Sequence, residues 1–527
     1  MRSMTELAGD TSVAISQRRT RVGRPGAVPP TWARWPVLAI TGAVAAVLAL
    51  TSGRYGYFGD ELYFLAAGRR LDWSYADQPP LIPLLARLMD TLFPDSVAAL
   101  RLPATVVTAL GVIVASLIAR ELRGERRAQV LAAATYAVSC GLLGTGHTLS
   151  TDVIDSFGWT LITWLLVRWI RTRGDRLLLL SGVATAVCLQ TKDLIVIFWF
   201  ALVCAVLVLG PRELLRRPLL WVGGGIALVC SLPNLWWQAH HGWPQLDMTQ
   251  AIVAEQNILG GRLALLPLIL IFAGIPIGAV LFCYGTWRLL RSAELAPYRF
   301  LGWTIVGVLV IVLVTGGRQN YVTGLFALAN AAAVVELGRR RPASWWRWTT
   351  TWPVYALAAV ITVVATMPIR PISWDGGGTT NPVSALSTGW PELTTAVADA
   401  FHTLPEGERQ GAVLLADTYW QASAIDQFGP ANGLPEVYSG SRGFWYFGPP
   451  PDSARATLFV GSDDTTLRRY FGNVRKVRTF NSPYGITGIN TGLSLWICTN
   501  QRVEWSRMWP ELRDFIITDR YAGPPAH

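Results

Sequence analysis

The sequence predicts a multi-span α-helical membrane protein with a smaller α/β domain at its C-terminal end, outside the membrane. Three observations predict it. Of 527 residues, 51% are hydrophobic and 15% charged, with a mean hydropathy of +0.35, which is more apolar than a soluble domain of this size needs. The apolar residues collect into about eleven runs of span length, separated by short turns that hold most of the arginines of the first 350 residues. From about residue 370 the pattern changes: Pro, Gly, Asp and Asn rise, and short β-type runs replace the long apolar ones.

Residues 1–32 are polar, Arg-rich and broken by prolines, and are expected to be disordered on the cytoplasmic side. The run from Trp35 to Thr51 has a basic flank and a modest apolar core, like a signal peptide. Its long leading region and the spans that follow favour an uncleaved first helix. Further runs lie at about 99–119, 128–146, 153–170, 177–191, 194–210, 219–236, 264–287, 301–316, 321–337 and 351–368.

Basic turns fall between alternate pairs: Arg120, Arg123, Arg126 and Arg127; Arg168, Arg171, Arg173 and Arg176; Arg212, Arg216 and Arg217; Arg288, Arg291 and Arg299; Arg339, Arg340, Arg341 and Arg347. Such turns are cytoplasmic by the positive-inside rule. With an odd count, the N-terminus is expected inside and the C-terminal domain outside. The expected organisation is a tail at 1–32, a membrane domain at 33–369 and an extracytoplasmic α/β domain at 370–527. Within the last, strands are expected at Gly411–Leu415, Thr457–Val460, Val474–Phe480 and Leu493–Cys498, and helices at Trp390–Phe401 and Thr465–Phe471.

The formal charge of +11 would suit nucleic acid, but the basic residues set topology instead of forming one face, so no nucleic-acid partner is expected. Five of the six cysteines lie in apolar runs and Cys498 stands alone, giving neither a disulfide framework nor zinc spacing.

The stretch that organises the outer face is YGYFGDELYFLAAGRRLDWSYADQPPLIPLLARLMD, residues 55–90. It sets Asp60, Glu61, Asp72, Asp77, Arg69 and Arg70 among aromatic side chains next to the first span. Carboxylates this close to hydrocarbon are costly and usually have a task. The helical spacing of Leu62 to Leu71 predicts an amphipathic, membrane-lying segment that pins Asp60 and Glu61 at the interface.

Other polar residues out of keeping with their surroundings sit in turns of the same face. Asp152 and Asp155, three apart, share one side of a helix start. Ser150, Thr151 and Asp152 are all N-cap types, so Asp152 is either a cap or a site residue, and Asp155 is the better site candidate. Lys192, in QTKD, is the only lysine before Lys476, against 43 arginines. It is either a snorkelling or salt-bridged side chain or a compact charge for a phosphate. Arg318, in GGRQNY, is placed similarly. Cations to stabilise a departing phosphate and a carboxylate to take a proton are what transfer from a phosphate leaving group requires. Adjacent His240 and His241 suggest a metal, but neighbours on a helix point apart, and an interfacial aromatic segment accounts for them better.

These residues resemble a known family. The string YFGDELYFLAAGRRLDWSYADQPPLIPLLARL is similar to the first outer loop of bacterial GT-C type membrane glycosyltransferases, nearest to the group called family thirty-nine or dolichyl-phosphate-mannose-protein mannosyltransferase-like, which is related to the lipid A aminoarabinose transferase. STDVIDSFGW, LQTKDLIV, LPNLWWQAHHGWPQL, RQNYVTGLFALANAAAVVEL, YWQASAIDQFG, GLPEVYSGSRGFWYFGPP and WPELRDF continue the likeness in the family's order. The chain departs from many relatives at Asp152, where they carry Asn, and at Arg318-Gln319-Asn320-Tyr321, where they carry Lys-Pro-Tyr-Tyr.

The resemblance implies a polyprenyl-phosphate-linked sugar donor and a lipid, glycan or protein hydroxyl acceptor outside the cytoplasm. It implies catalytic roles for Asp60, Glu61 and Asp155, and donor-phosphate binding by Lys192 and Arg318. Asp152, Asp77, Gln78, Tyr321 and His241 are expected to line the site. A divalent metal ion, if one takes part, would be held by Glu61 and Asp155. The other readings of the same residues are a lipid or sugar transporter and a non-catalytic envelope-assembly subunit. One-sided clustering of the charges, away from the midplane, disfavours a transporter.

Overall fold

The computed structural model describes residues 29–340, 343–371, 386–484 and 489–516. The tail expected to be disordered therefore falls, over residues 1–28, outside the described residues. Among those described, six helices are long and apolar enough to cross a membrane: Arg34–Thr51, Leu102–Glu121, Thr151–Thr172, Pro218–His240, Ala296–Thr315 and Gln319–Arg339. Three bent pairs raise the number to nine if each is one span: Arg126–Ala137 with Cys140–Gly146, Pro244–Ile258 with Gly261–Ala273, and Ser344–Thr350 with Trp352–Thr366. Two shorter apolar helices, Arg176–Leu189 and Ile195–Leu209, lie among them.

Close approach through small residues binds these helices, as hydrocarbon offers them no hydrophobic drive to associate. A Cβ on Gly182 would lie 2.2 Å from the Cα of Gly223, so the helices Arg176–Leu189 and Pro218–His240 meet backbone to backbone. One expected span is different. The run 264–287 divides into Gly261–Ala273 and Ile277–Arg291. Gly274 sits at φ +109°, and Pro276 has no N–H to carry a helix onward. A further helix, Pro244–Ile258, occupies residues for which the sequence suggested no element.

The 55–90 stretch also departs from expectation. The helix Gly59–Arg69 is buried on nearly all sides, from Glu61 through Gly68, so it does not lie on the membrane with a free face. It packs between the following helix, Leu81–Leu92, and the helix Tyr419–Phe428 of the C-terminal domain. The amphipathic element is instead Leu81–Leu92, which buries Ile82, Pro83, Ala86 and Met89 and exposes Leu84, Leu88 and Leu92. Apolar spacing alone does not say whether a face meets lipid or a second domain.

The C-terminal domain is built on a five-stranded sheet in the order β2-β1-β3-β5-β4, with β1 Ala412–Ala416, β2 Val437–Tyr438, β3 Ala456–Gly461, β4 Phe471–Phe480 and β5 Leu493–Gln501. Parallel pairs join β1 to β2 and β3, and antiparallel pairs join β5 to β3 and β4. Strands β1 and β3 are buried along their whole length and read as continuous apolar runs. Edge strand β4 carries Arg475, Lys476 and Arg478, charges that discourage further pairing. One apolar core joins this domain to the 55–90 stretch: Leu62, Tyr63, Phe64 and Leu65 pack in the same cluster as Trp390, Tyr419, Trp420, Leu414 and Leu458.

A buried ion pair fixes the loop against the spans. Glu61 and Arg101 are both fully buried. Arg101 Nε donates to Glu61 Oε1 at 2.9 Å and Nη2 to Oε2 at 2.7 Å. Its remaining donors reach Ser52 O at 2.6 Å and Gly56 O at 2.8 Å. Glu61 in turn accepts from Phe58 N at 2.8 Å and Leu149 N at 2.9 Å. One pair thus ties the end of the first long helix, the loop, the start of the second long helix and the segment leading into Thr151–Thr172. Replacing Arg101 by Leu strands a buried carboxylate, and is expected to destabilise the protein by about 3–5 kcal/mol. Thermal unfolding in detergent or nanodiscs checks this, and a melting temperature within about a degree of wild type would contradict it.

Candidate active site

Asp60 lies in the first turn of the helix Gly59–Arg69, where the helix dipole favours a carboxylate. Its Oδ1 accepts from the Tyr419 hydroxyl at 2.8 Å and from Trp420 Nε1 at 2.7 Å. Oδ2 accepts nothing from the described residues. The approach of Trp420 explains the glycine before the acid: a Cβ on Gly59 would stand 2.8 Å from the indole ring.

A line of polar contacts runs from Asp60 through the C-terminal domain and back to the membrane helices. Arg442 Nη1 donates to the Tyr419 oxygen at 3.1 Å, and Arg442 Nη2 pairs with Glu255 Oε1. Glu255 Oε2 pairs with Arg318 Nη2. Arg318 is within electrostatic range of Asp152, whose Oδ1 accepts from Lys192 Nζ at 2.5 Å. Lys192 also sits 4.6 Å above the centre of the Tyr321 ring, in cation–π range. A backbone bond, Leu81 N to Gln190 O at 2.9 Å, ties the 55–90 stretch directly to the turn that carries Lys192. Asp60 is thus joined by contacts to Arg318, and the Lys192–Asp152 pair is tied to the same stretch through the backbone.

The other residues marked by the sequence fall into three groups. Glu61 has no oxygen to spare, because its four hydrogen bonds use all four acceptor positions of a carboxylate. Its place is in the Arg101 pair, away from substrate or a metal ion. Asp155 is buried and accepts from Trp159 Nε1 at 3.0 Å, one turn along its own helix. Among the described residues, no three His, Cys, Asp or Glu side chains group to hold a metal ion, so the residues at hand do not fit one.

His241 stacks on Trp237 at 3.9 Å and bonds the Trp237 carbonyl through Nδ1 at 2.8 Å, while His240 sits tilted by 40° against Trp236 at 4.3 Å and bonds its carbonyl through Nδ1 at 2.8 Å. Neither acts with the other. The helix end that carries them is anchored to the first loop by Trp237 Nε1 to Asp72 Oδ2 at 2.7 Å and by Gln238 Nε2 to Tyr75 O at 2.9 Å. Gln78 is buried, and its Nε2 has no hydrogen-bond partner among the described residues.

Sequence reasoning did not single out Tyr419, Trp420, Arg442, Glu255 or Arg101. Signals for four existed: Tyr419 and Trp420 open YWQASAIDQFG, Arg442 lies in SGSRGFW, and Glu255 stands out by its charge in the otherwise uncharged AIVAEQNIL.

Asp77 accepts from the Tyr63 hydroxyl at 2.9 Å, and burial pushes its carboxyl up to about 6, partly offset by Tyr63 and Arg442. A raised carboxylate pKa means that the folded state holds a proton which the unfolded state releases at lower pH. The cost of ionising Asp77 therefore appears as pH rises from about 4 to about 6 and is constant above. Asp77→Asn does not bear that cost, so its stability relative to wild type is expected to rise across that window. Paired melting curves from pH 4 to 8 check this, and a constant or falling difference would contradict it.

Comparison with known proteins shows what the chain is similar to. A model described as dolichyl-phosphate-mannose-protein mannosyltransferase matches residues 77–237, a segment that includes Asp77, Asp152, Asp155 and Lys192. Lipid A galacturonosyltransferase RgtD of Rhizobium johnstonii is 24% identical over 271 residues, covering 50% of this chain and 56% of RgtD; the match spans little more than half of that relative's length. Among solved structures, ArnT from Cupriavidus metallidurans in the apo state aligns with a TM-score of 0.58 at 14% identity, over 87% of this chain and 97% of ArnT. Its undecaprenyl phosphate-bound form aligns with a TM-score of 0.53 at 16% identity, over 88% and 98%. This chain therefore shares the fold of ArnT and contains a segment, residues 77–237, that matches the mannosyltransferase family model.

Proposed function

We propose that this chain is an integral membrane glycosyltransferase of the plasma membrane. It moves a sugar from a polyprenyl-phosphate donor to a hydroxyl acceptor on the outer face, with inversion at the anomeric carbon. The observation that carries this reading is the line of contacts joining Asp60, a carboxylate with one oxygen uncommitted among the described residues, to Arg318, beside the pair of Lys192 with Asp152. The relatives support it: RgtD is named for sugar transfer to lipid A, and ArnT is described with undecaprenyl phosphate bound. In this reading the N-terminus is cytoplasmic and the C-terminal domain extracytoplasmic, as the arginine-rich turns favour.

Asp60 Oδ2 takes the proton from the acceptor hydroxyl as its oxygen attacks the anomeric carbon. The bond from that carbon to the phosphate oxygen breaks, and the electron pair leaves with the polyprenyl phosphate. Lys192 and Arg318 stabilise the charge that gathers there. Tyr419 and Trp420 act on Asp60, fixing Oδ1 so that Oδ2 is the acceptor of the proton. Asp152 keeps Lys192 ionised and oriented, and Tyr321 supports it from the ring face. Glu61 positions the helix through Arg101 instead of touching substrate, and Asp155 shapes the floor below Asp152.

Asp60→Asn keeps size and loses the base, so transfer is expected to fall by about 10²–10⁴-fold. A strain lacking this chain, complemented with wild type or with the variant, is compared by mass spectrometry of envelope lipids and glycans. Loss of the product at equal protein level and melting temperature is expected; full complementation by Asp60→Asn would sink the reading. In the same system Lys192→Ala is expected to weaken donor use while leaving the fold intact.

A further inference from the structure

Glu255 holds one carboxylate between two guanidinium groups from different parts of the molecule. It belongs to the helix Pro244–Ile258. Arg318 precedes the short helix Gln319–Leu325 of the membrane domain, and Arg442 opens the short helix Arg442–Phe447 of the C-terminal domain. The two pairs differ in exposure. The side chains of Arg442 and Glu255 are 7% and 8% exposed, whereas that of Arg318 is 36% exposed. An anion arriving from outside therefore reaches Arg318 before Arg442, and finds a carboxylate already there.

Carboxylate and phosphate suit the same guanidinium fork, so the seat fits either anion, and both together would repel. The helix that carries Glu255 also has the means to move. Gly242 (φ +77°) and Trp243 (φ +59°) precede it, and Gly260 (φ +94°) and Gly261 (φ +61°) follow it. Left-handed residues at both ends are places where a backbone can absorb a rotation.

We propose that Glu255 is the resident counter-ion of the donor seat: it neutralises Arg318 while the seat is empty and yields Arg318 to the donor's phosphate, keeping Arg442. The inference rests on the donor reading above and deepens it by naming the group that phosphate must displace. It makes headgroup charge a condition of entry, since a neutral lipid gains nothing at Arg318 that compensates for evicting a carboxylate. Glu255 is a positioning residue in this scheme, not a catalytic one.

The test is binding of undecaprenyl phosphate to the full chain in nanodiscs, measured for wild type, Glu255→Gln, Lys192→Ala and the double variant Glu255→Gln with Arg318→Gln. Glu255→Gln is expected to bind about tenfold more tightly than wild type, the size of an ordinary coupling between two competing ligands. That gain is expected to vanish when Arg318 is also replaced. Equal or weaker binding by folded Glu255→Gln overturns the proposal and leaves Glu255 a structural latch. If Glu255→Gln does not fold, Glu255→Asp, whose shorter side chain reaches Arg318 less well, is measured instead; tighter binding supports the proposal and unchanged binding overturns it. The two levels separate cleanly. A wild type that binds undecaprenyl phosphate in a Lys192-dependent way, without tightening in the Glu255 variants, removes only this inference. A wild type that binds none removes the donor reading as well.

Discussion

The rest of the structure depends on a buried ion pair between Glu61 and Arg101. Two charges at zero exposure persist only when they are paired and hydrogen-bonded, and here their further partners are four backbone groups, at the end of the first long helix, in the loop and before Thr151–Thr172. That requirement places the start of the helix Gly59–Arg69 in one orientation relative to the membrane helices. Asp60, the neighbouring residue, points elsewhere because consecutive residues on a helix diverge. The acid that anchors and the acid left to act are thus separated by one position and one helical step.

A second constraint comes from the C-terminal domain. Its core is continuous with the 55–90 stretch, and its Tyr419 and Trp420 hold Asp60 while its Arg442 reaches back to Glu255. The two domains build the site between them. A change in how they sit together would move the carboxylate and the arginines at once, which is a physical reason for so many side chains of unlike origin to be threaded on one polar line.

Much of the fold was legible in the sequence. Long apolar runs and basic turns mark the membrane helices, and the four strands and two helices expected beyond residue 390 lie within a few residues of those observed, whereas the helix Tyr419–Phe428 and the short β2 were not foreseen. The break at Gly274–Pro276 was written in two residues but lay inside an unbroken apolar run. The helix Pro244–Ile258 was hidden by its mixed composition. At the site, the cost of charge beside hydrocarbon marked Asp60, Glu61, Asp152, Asp155, Lys192 and Arg318, because that cost is local and readable. It could not say which of two adjacent acids was already satisfied, since Arg101 sits 40 positions away from Glu61. The sequence marked Tyr419, Trp420 and Arg442 only as parts of similar strings, because their importance lies in which distant carboxylate they meet.

The central claim is that one seat, made by both domains, holds the donor phosphate beside Lys192 and Arg318 within reach of Asp60. A structure of the full chain in nanodiscs with undecaprenyl phosphate bound tests it most directly. The account predicts phosphate oxygens at hydrogen-bonding distance, about 3 Å, from Lys192 Nζ and the Arg318 guanidinium, on the side of the network that faces Asp60. A phosphate resolved elsewhere, with Lys192 still paired to Asp152 and Arg318 still paired to Glu255, would contradict it.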